Sequence, residues 1–213
     1  MADCIETGIC YWLTGLPGAG KTTLAGAFQQ RLRSEGHEAC VLDADVLREG
    51  INRDLGYSPE DRSENVRRIS EVARLFVAKG FVVIVSCIAP YRADRERARQ
   101  RFPAGRYFEV FVDAPLEICM ARDPKGLYAG ARQGSVVQVT GVSAPYERPE
   151  RPDIVLTTGA LSLETCVDAL LRHLGHRIGT ASLRSARNGS GHAASSFAGQ
   201  GPNSPPRPPG GDL

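Results

Sequence analysis

Two hydrophobic periods take turns along this chain. Ile9–Thr14 is a short apolar run that ends at Gly15, and residues 22–33 then read as a helix. Residues 37–44 read as a second strand. Over 65–79, Val66, Ile69, Val72, Ala73 and Phe76 fall at helical spacing, with Gly80 closing the segment. Residues 81–88 are almost wholly apolar and β-branched, which suits a strand buried on both faces of a parallel sheet. A charged helix is expected over 92–101, a fourth strand over 107–112, and a helix with proline in its first turn over 115–122. A fifth strand over 153–158 and a helix over 163–174 follow. Strands alternating with helices imply an α/β fold, a doubly wound parallel sheet flanked by helices.

The alternation lapses twice. Residues 123–150 are rich in Gly, Pro, Tyr and small polar side chains, the composition of a mobile lid or binding loop. From about Gly179 the chain turns to Gly, Ser, Pro and Ala and ends PNSPPRPPGGDL, too little apolar surface to offset chain entropy. The expected organisation is therefore one α/β domain over 1–178 and a disordered tail over 179–213. No internal repeat is visible.

Composition narrows the function classes. The 213 residues carry 26 basic and 24 acidic side chains, a net charge of +2 that predicts neither a nucleic-acid binder nor a polybasic membrane anchor. No apolar run approaches the ~20 residues that span a bilayer. The first ten residues hold Asp3 and Glu6 and no basic run, so no secretory signal is expected. Six scattered cysteines (Cys4, Cys10, Cys40, Cys87, Cys119 and Cys166) lack a C-x-x-C pair and read as small buried hydrophobes in a reducing, cytoplasmic setting. Only Lys21, Lys79 and Lys125 are lysine, in a chain that otherwise uses arginine for positive charge. Lys79 suits a helix C-terminus. Lys21 and Lys125 call for a reason to need a flexible ammonium.

Lys21 has one. Residues 15–22, Gly15-Leu16-Pro17-Gly18-Ala19-Gly20-Lys21-Thr22, fit G-x-x-x-x-G-K-[ST] between a strand and a helix, and Thr23 continues the motif. Backbone N–H groups of such a loop surround phosphate oxygens, the lysine reaches the β- and γ-phosphates, and the Thr22 hydroxyl binds Mg²⁺. The motif predicts a nucleoside-triphosphate site. No N-K-x-D motif reads guanine. Asp43 and Asp45 end the second strand, where two carboxylates facing Mg-ATP can hold metal waters and accept the proton of an attacking hydroxyl. Asp43 is the first choice for that proton and Asp45 the second. Arg48, Arg62, Arg67 and Arg68, with Asn65 among them, form an array suited to an acceptor bearing phosphate, sulfate or carboxylate. A solvated helix face is the alternative, above all for Arg67 and Arg68.

Taken together the motifs resemble the adenylylsulfate (APS) kinase family, from about residue 8 to 174. The resemblance rests on GLPGAGKTT at 15–23, LDADVLR at 42–48, LGYSPEDRSENVRRI at 55–69, IAPYRADR at 88–95, FVDAPLEICMARDPKGLY at 111–128 and TGVSAPYERPERPDIVL at 140–156. It implies phosphorylation of the ribose 3′-hydroxyl of APS by Mg-ATP, giving PAPS, in sulfate assimilation. It implies metal and base functions for Asp43 and Asp45, with Thr22 beside Asp43 on the metal. Arg48, Tyr57, Arg62 and Asn65 would line the APS site with Ile88 close by. Arg122, Lys125, Gly126 and Leu127 would belong to the lid on the nucleotide side, with Lys125, Gly126 and Leu127 also meeting substrate. A homodimer and a functional link to an ATP sulfurylase are compatible with it.

The chain departs from the family pattern at defined places. D-G-D is D-A-D here through Ala44, the aromatic of the L-G-F segment is Tyr57, and the serine of I-S-P-Y is Ala89. A Lys-Lys pair is Ala129-Gly130, and an aromatic before T-G is Val139. Alanine at 89 has no hydroxyl to phosphorylate, so direct transfer from ATP to the acceptor is expected. If the third strand stays regular through Ile88, Ser86 points to the opposite face and is poorly placed to substitute. A kinase of this fold acting on another hydroxyl (sugar, antibiotic or nucleotide) and a non-catalytic NTP-binding module are the competing readings.

Overall fold

The computed structural model describes residues 8–135 and 137–188. Its elements are β1 (Ile9–Thr14), α1 (Lys21–Ser34), β2 (Ala39–Asp43), α2 (Ala44–Glu49), α3 (Pro59–Val77) and β3 (Val82–Ser86). There follow α4 (Arg92–Arg99), β4 (Tyr107–Asp113), α5 (Leu116–Arg122), α6 (Leu127–Arg132), β5 (Ile154–Thr157) and α7 (Leu163–Asn188). The chain divides into two units, Met1–His173 and Leu174–Leu213.

The first unit holds a parallel five-stranded sheet in the order β2-β3-β1-β4-β5. β1 is buried at every position, and its alternating side chains serve two cores. Trp12 joins Val66, Ile69, Ala73 and Val77 of α3 and Phe102 and Tyr107 on one face. Tyr11 meets Phe28 of α1 edge-on at 5.4 Å on the other, and its hydroxyl lies 3.0 Å from His173 Nδ1. The register sets Leu13 beside Ser86, and Ser86 beside Asp43. Three strand ends therefore open side by side at the switch in strand order, where open α/β sheets bind ligands.

Several element boundaries differ from the periodicity. Helix α3 begins at Pro59, six residues earlier than the apolar pattern, because Ser58 caps it by accepting from Asp61 N at 3.1 Å and Pro59 opens it. Its first buried face carries Arg62 and Asn65, polar side chains to which a hydrophobic period is blind. β3 ends at Ser86, not Ile88, so strand alternation does not extend to residue 89. Helices α2 and α6 were not expected. The expected domain boundary at 178/179 falls inside α7, which runs as helix to Asn188. The rest of the expected tail, 189–213, lies outside the described residues.

Among the described residues, no helix is long and apolar enough to cross a membrane. Cys10, Cys87, Cys119 and Cys166 are buried free thiols and Cys40 is half-buried, while Cys4 lies outside the described residues.

Candidate active site

The loop after β1 is built around left-handed backbone. Gly15 (φ +154°) leaves no room for a Cβ, which would sit 2.4 Å from the Val112 carbonyl oxygen. At Gly18 (φ +76°) a Cβ would sit 2.7 Å from that of Cys119. The loop delivers the chain into α1 at Lys21. Lys21 Nζ donates to the carbonyls of Gly15 and Leu16, both at 2.9 Å. Burial pulls the ammonium pKa from 10.5 to about 8. The opposite side of the loop is clamped by three side chains. Tyr128 donates from its hydroxyl to the Pro17 carbonyl at 2.9 Å, and Thr158 Oγ1 to that of Ala19 at 2.7 Å. Arg122 reaches the Gly18 and Ala19 carbonyls at 3.4 and 3.5 Å and the Thr158 carbonyl at 2.7 Å.

Thr22 and the end of β2 meet at the mouth of this loop. Thr22 Oγ1 donates to Asp43 Oδ2 at 2.8 Å and lies 3.3 Å from Ser86 Oγ. Asp43 Oδ1 accepts from Asp45 N at 2.9 Å, capping α2. Asp45 is exposed and ion-paired with Lys125. Ala44 is an ordinary first helical residue and is not among the non-glycine residues in the left-handed region, Ala89 and Gln138. No three His, Cys, Asp or Glu residues gather as a metal cluster among the described residues. A hydroxyl and one carboxylate at a phosphate loop is nevertheless the donor set that suits Mg²⁺, which keeps several waters and shares phosphate oxygens. Thr22 and Asp43 fit that ion.

The far side of the cavity is made of polar side chains held by other groups of the chain. Arg62 is 9% exposed, and burial lowers its pKa below the usual arginine value. Its Nε donates to the Tyr57 carbonyl at 2.9 Å, Nη1 to Thr140 Oγ1 at 3.0 Å and Nη2 to the Gln138 carbonyl at 2.7 Å. Arg48 Nη1 donates to the carbonyls of Leu55 and Gly56 at 3.0 and 2.9 Å. Its guanidinium lies 4.4 Å from the centroid of the half-exposed Tyr57 ring, a cation–π contact. Asn65 Oδ1 accepts from buried Asn52 Nδ2 at 2.9 Å. Beside it, the Cys87 thiol is pushed up to about 11 by burial, so it is no nucleophile at neutral pH.

One cavity of about 870 Å³ joins both sides. Of the residues singled out in the sequence it brings together 17–23, Asp43, Asp45, Arg48, Tyr57, Arg62, Asn65, Ile88, Arg122, Lys125 and Leu127. Gly15 and Leu16 stand behind the loop, holding Lys21. Gly126 lies outside the lining and turns the chain into α6 with φ 65°. Arg67 and Arg68 are absent from the cavity. They pair with Glu64, and Arg68 also with Asp54, on an outer helix face, holding the Glu64 carboxyl down at about 2. Ser86 lines the cavity together with Ala89, correcting the expectation that they face opposite ways; the strand has ended between them. Val139 is buried in the loop that follows residue 137, its N–H donating to Ser143 Oγ at 2.9 Å.

Sequence reasoning missed Tyr128, Thr158, Thr140 and Asn52. Asp123, which accepts from Tyr128 N and Ala129 N at 3.2 and 2.9 Å, was a readable start signal for α6. Thr140 had none, since its partner Arg62 is 78 residues away.

A phosphate loop at the switch point, a threonine–carboxylate pair at its mouth and an oxyanion-ready pocket beyond it define a P-loop kinase. A family model described as adenylylsulphate kinase matches residues 7–157. The chain is 52% identical over 167 residues to the adenylyl-sulfate kinase of Paraburkholderia xenovorans, covering 78% of this chain and 93% of that one. It superposes with a TM-score of 0.77 on the Mycobacterium tuberculosis APS kinase solved with AMPPNP and APS, at 43% identity over 79% of this chain and 98% of that one. A hexameric APS kinase from Thiobacillus denitrificans matches with a TM-score of 0.59 at 31% identity, over 81% of this chain and 29% of that longer one. The chain belongs to the adenylylsulfate kinase family.

Proposed function

We propose that the chain transfers the γ-phosphoryl group of ATP to the 3′-hydroxyl of APS. The observation that carries this reading is a single cavity in which the Lys21–Thr22–Asp43 cluster faces Arg48, Arg62, Asn65 and Tyr57. Lys21 exchanges its two loop carbonyls for β- and γ-phosphate oxygens, so its charge is already in place when negative charge shifts during transfer. Thr22 and Asp43 would hold Mg²⁺, which would supply positive charge to offset that of the phosphates. Both Asp43 oxygens already accept hydrogen bonds. Asp45, whose partner is the Lys125 ammonium, is the carboxylate left to orient the hydroxyl and take its proton. Arg48 and Arg62 face the acceptor's anionic group, and the Tyr57 ring offers a stacking surface for its base.

The test is a coupled assay with APS as sole acceptor. PAPS formation dependent on Mg²⁺ and ATP is expected; phosphorylation of a sugar or nucleoside with none of APS would overturn the acceptor assignment. Transfer is direct. Intact-protein mass spectrometry after incubation with ATP alone should show no adduct, and a stoichiometric phosphate on Ser86, discharged by APS, would contradict this.

A further inference from the structure

The turn after β3 carries strained backbone. Ala89 has φ 43°, is 1% exposed and precedes Pro90, a combination alanine does not choose by itself. Something must impose it. Ile88, Ala89 and Pro90 all line the cavity, and each of their carbonyls is held. Thr14 Oγ1 donates to Ile88 O at 2.6 Å, Arg95 Nη1 to Ala89 O at 2.7 Å and Glu147 N to Pro90 O at 2.9 Å.

Arg95 lies on α4 with a side chain 2% exposed. Its fork points three ways: Nε donates to Glu109 Oε1 on β4 at 2.5 Å, Nη1 to Ala89 O, and Nη2 to Glu147 O at 2.8 Å. Glu109 compensates the buried charge, which frees the remaining donors for two backbone segments far apart in sequence. Glu147 binds the same turn in return. Its carboxylate accepts from Arg92 N at 2.7 Å, at the start of α4, where Tyr91 supplies no side-chain cap. One residue earlier, the Tyr146 hydroxyl lies 3.0 Å from Thr14 Oγ1.

We propose that Arg95 is a positioning residue for the acceptor: it holds Ala89 in the left-handed conformation and locks Glu147 to that turn. The acceptor wall and the segment that returns from Arg62's partners, Gln138 and Thr140, are thereby set as one piece. Lysine keeps the charge opposite Glu109 but lacks the planar fork that reaches both carbonyls.

The activity arm rests on the APS reading; the exchange arm does not. Arg95→Lys should raise KM for APS about tenfold, the scale of losing charge-assisted hydrogen bonds, while the Kd of a fluorescent ATP analogue stays within about twofold. Ala89→Gly alone is measured as the reference for the double variant, since glycine takes φ 43° without strain. In Arg95→Lys/Ala89→Gly the KM should recover most of the loss, a rescue that a merely structural arginine would not show. An unchanged KM in Arg95→Lys, or a double variant no better than it, overturns the proposal. Hydrogen exchange needs no acceptor. Arg95→Lys should speed exchange at the amides of Arg92 and Glu147 together and leave β1 and α1 unchanged, whether or not APS is the substrate. Should Arg95→Lys not fold, Ala89→Gly still decides: with Arg95 present those two amides must stay protected, and their deprotection would refute the tie.

Discussion

The two halves of the cavity are built by opposite means. On the nucleotide side the backbone shapes the loop: Gly15, Gly18 and Gly20 take positive φ, and Lys21, Tyr128, Thr158 and Arg122 brace the loop through its carbonyls. On the proposed acceptor side the cavity-lining groups are long side chains, and their own anchors come from elsewhere in the chain. Arg62 depends on Gln138 and Thr140, and Arg48 on Leu55 and Gly56. A phosphate loop binds what every ATP has in common, so local geometry suffices. A site that selects one acceptor needs groups at separations that no short segment spans.

The largest effect expected from breaking this division is on Lys21. Lys21→Ala should lower kcat about 10³-fold, because a preorganised charge on the transferring group is lost. Single-turnover kinetics would read it, and near-normal kcat would remove the phosphate loop from the reaction. Arg62→Ala comes next. It should raise KM for APS about 10²-fold, the scale of losing hydrogen bonds from a charged donor, while ATP affinity by calorimetry holds. Equal losses for both ligands would mean that the halves are not separable.

A pH profile sharpens the comparison at smaller amplitude. Burial lowers the Lys21 pKa to about 8, so the free enzyme loses this cation as pH rises past that value. The expected kcat/KM for ATP at pH 9 is about tenfold below that at pH 7, since this parameter reports the free enzyme. Bound phosphates favour the charged form, so kcat at saturating ATP should hold to higher pH. Lys21→Arg, which cannot titrate in this range, should lack the alkaline limb even if its rate is lower. The smallest effect is at the brace. Tyr128→Phe removes one hydrogen bond to Pro17 and should weaken ATP binding by about 1 kcal/mol, about fivefold, with KM for APS unchanged.

What the sequence determined by itself was everything that short-range pattern can encode. The alternating apolar runs specified a parallel α/β sheet, since a strand buried on both faces reads as a continuous apolar run. The phosphate loop was legible because its chemistry is local, glycines and a lysine within eight consecutive positions from Gly15 to Thr22. The polar start of α3 was not, since Arg62 and Asn65 face the cavity where a core helix would show leucine or valine. The tertiary structure alone decided that Arg48 and Arg62 enter the site while Arg67 and Arg68 pair with carboxylates outside it. All four lie on or near one helix with the same chemistry, and only packing against the sheet separates the face that enters from the face that does not. It alone also ended β3 at Ser86, turned Ala89 to positive φ, and brought Arg95 between two segments nearly sixty residues apart. Such contacts depend on where the sheet sets its strand ends, and that register is a property of the whole fold.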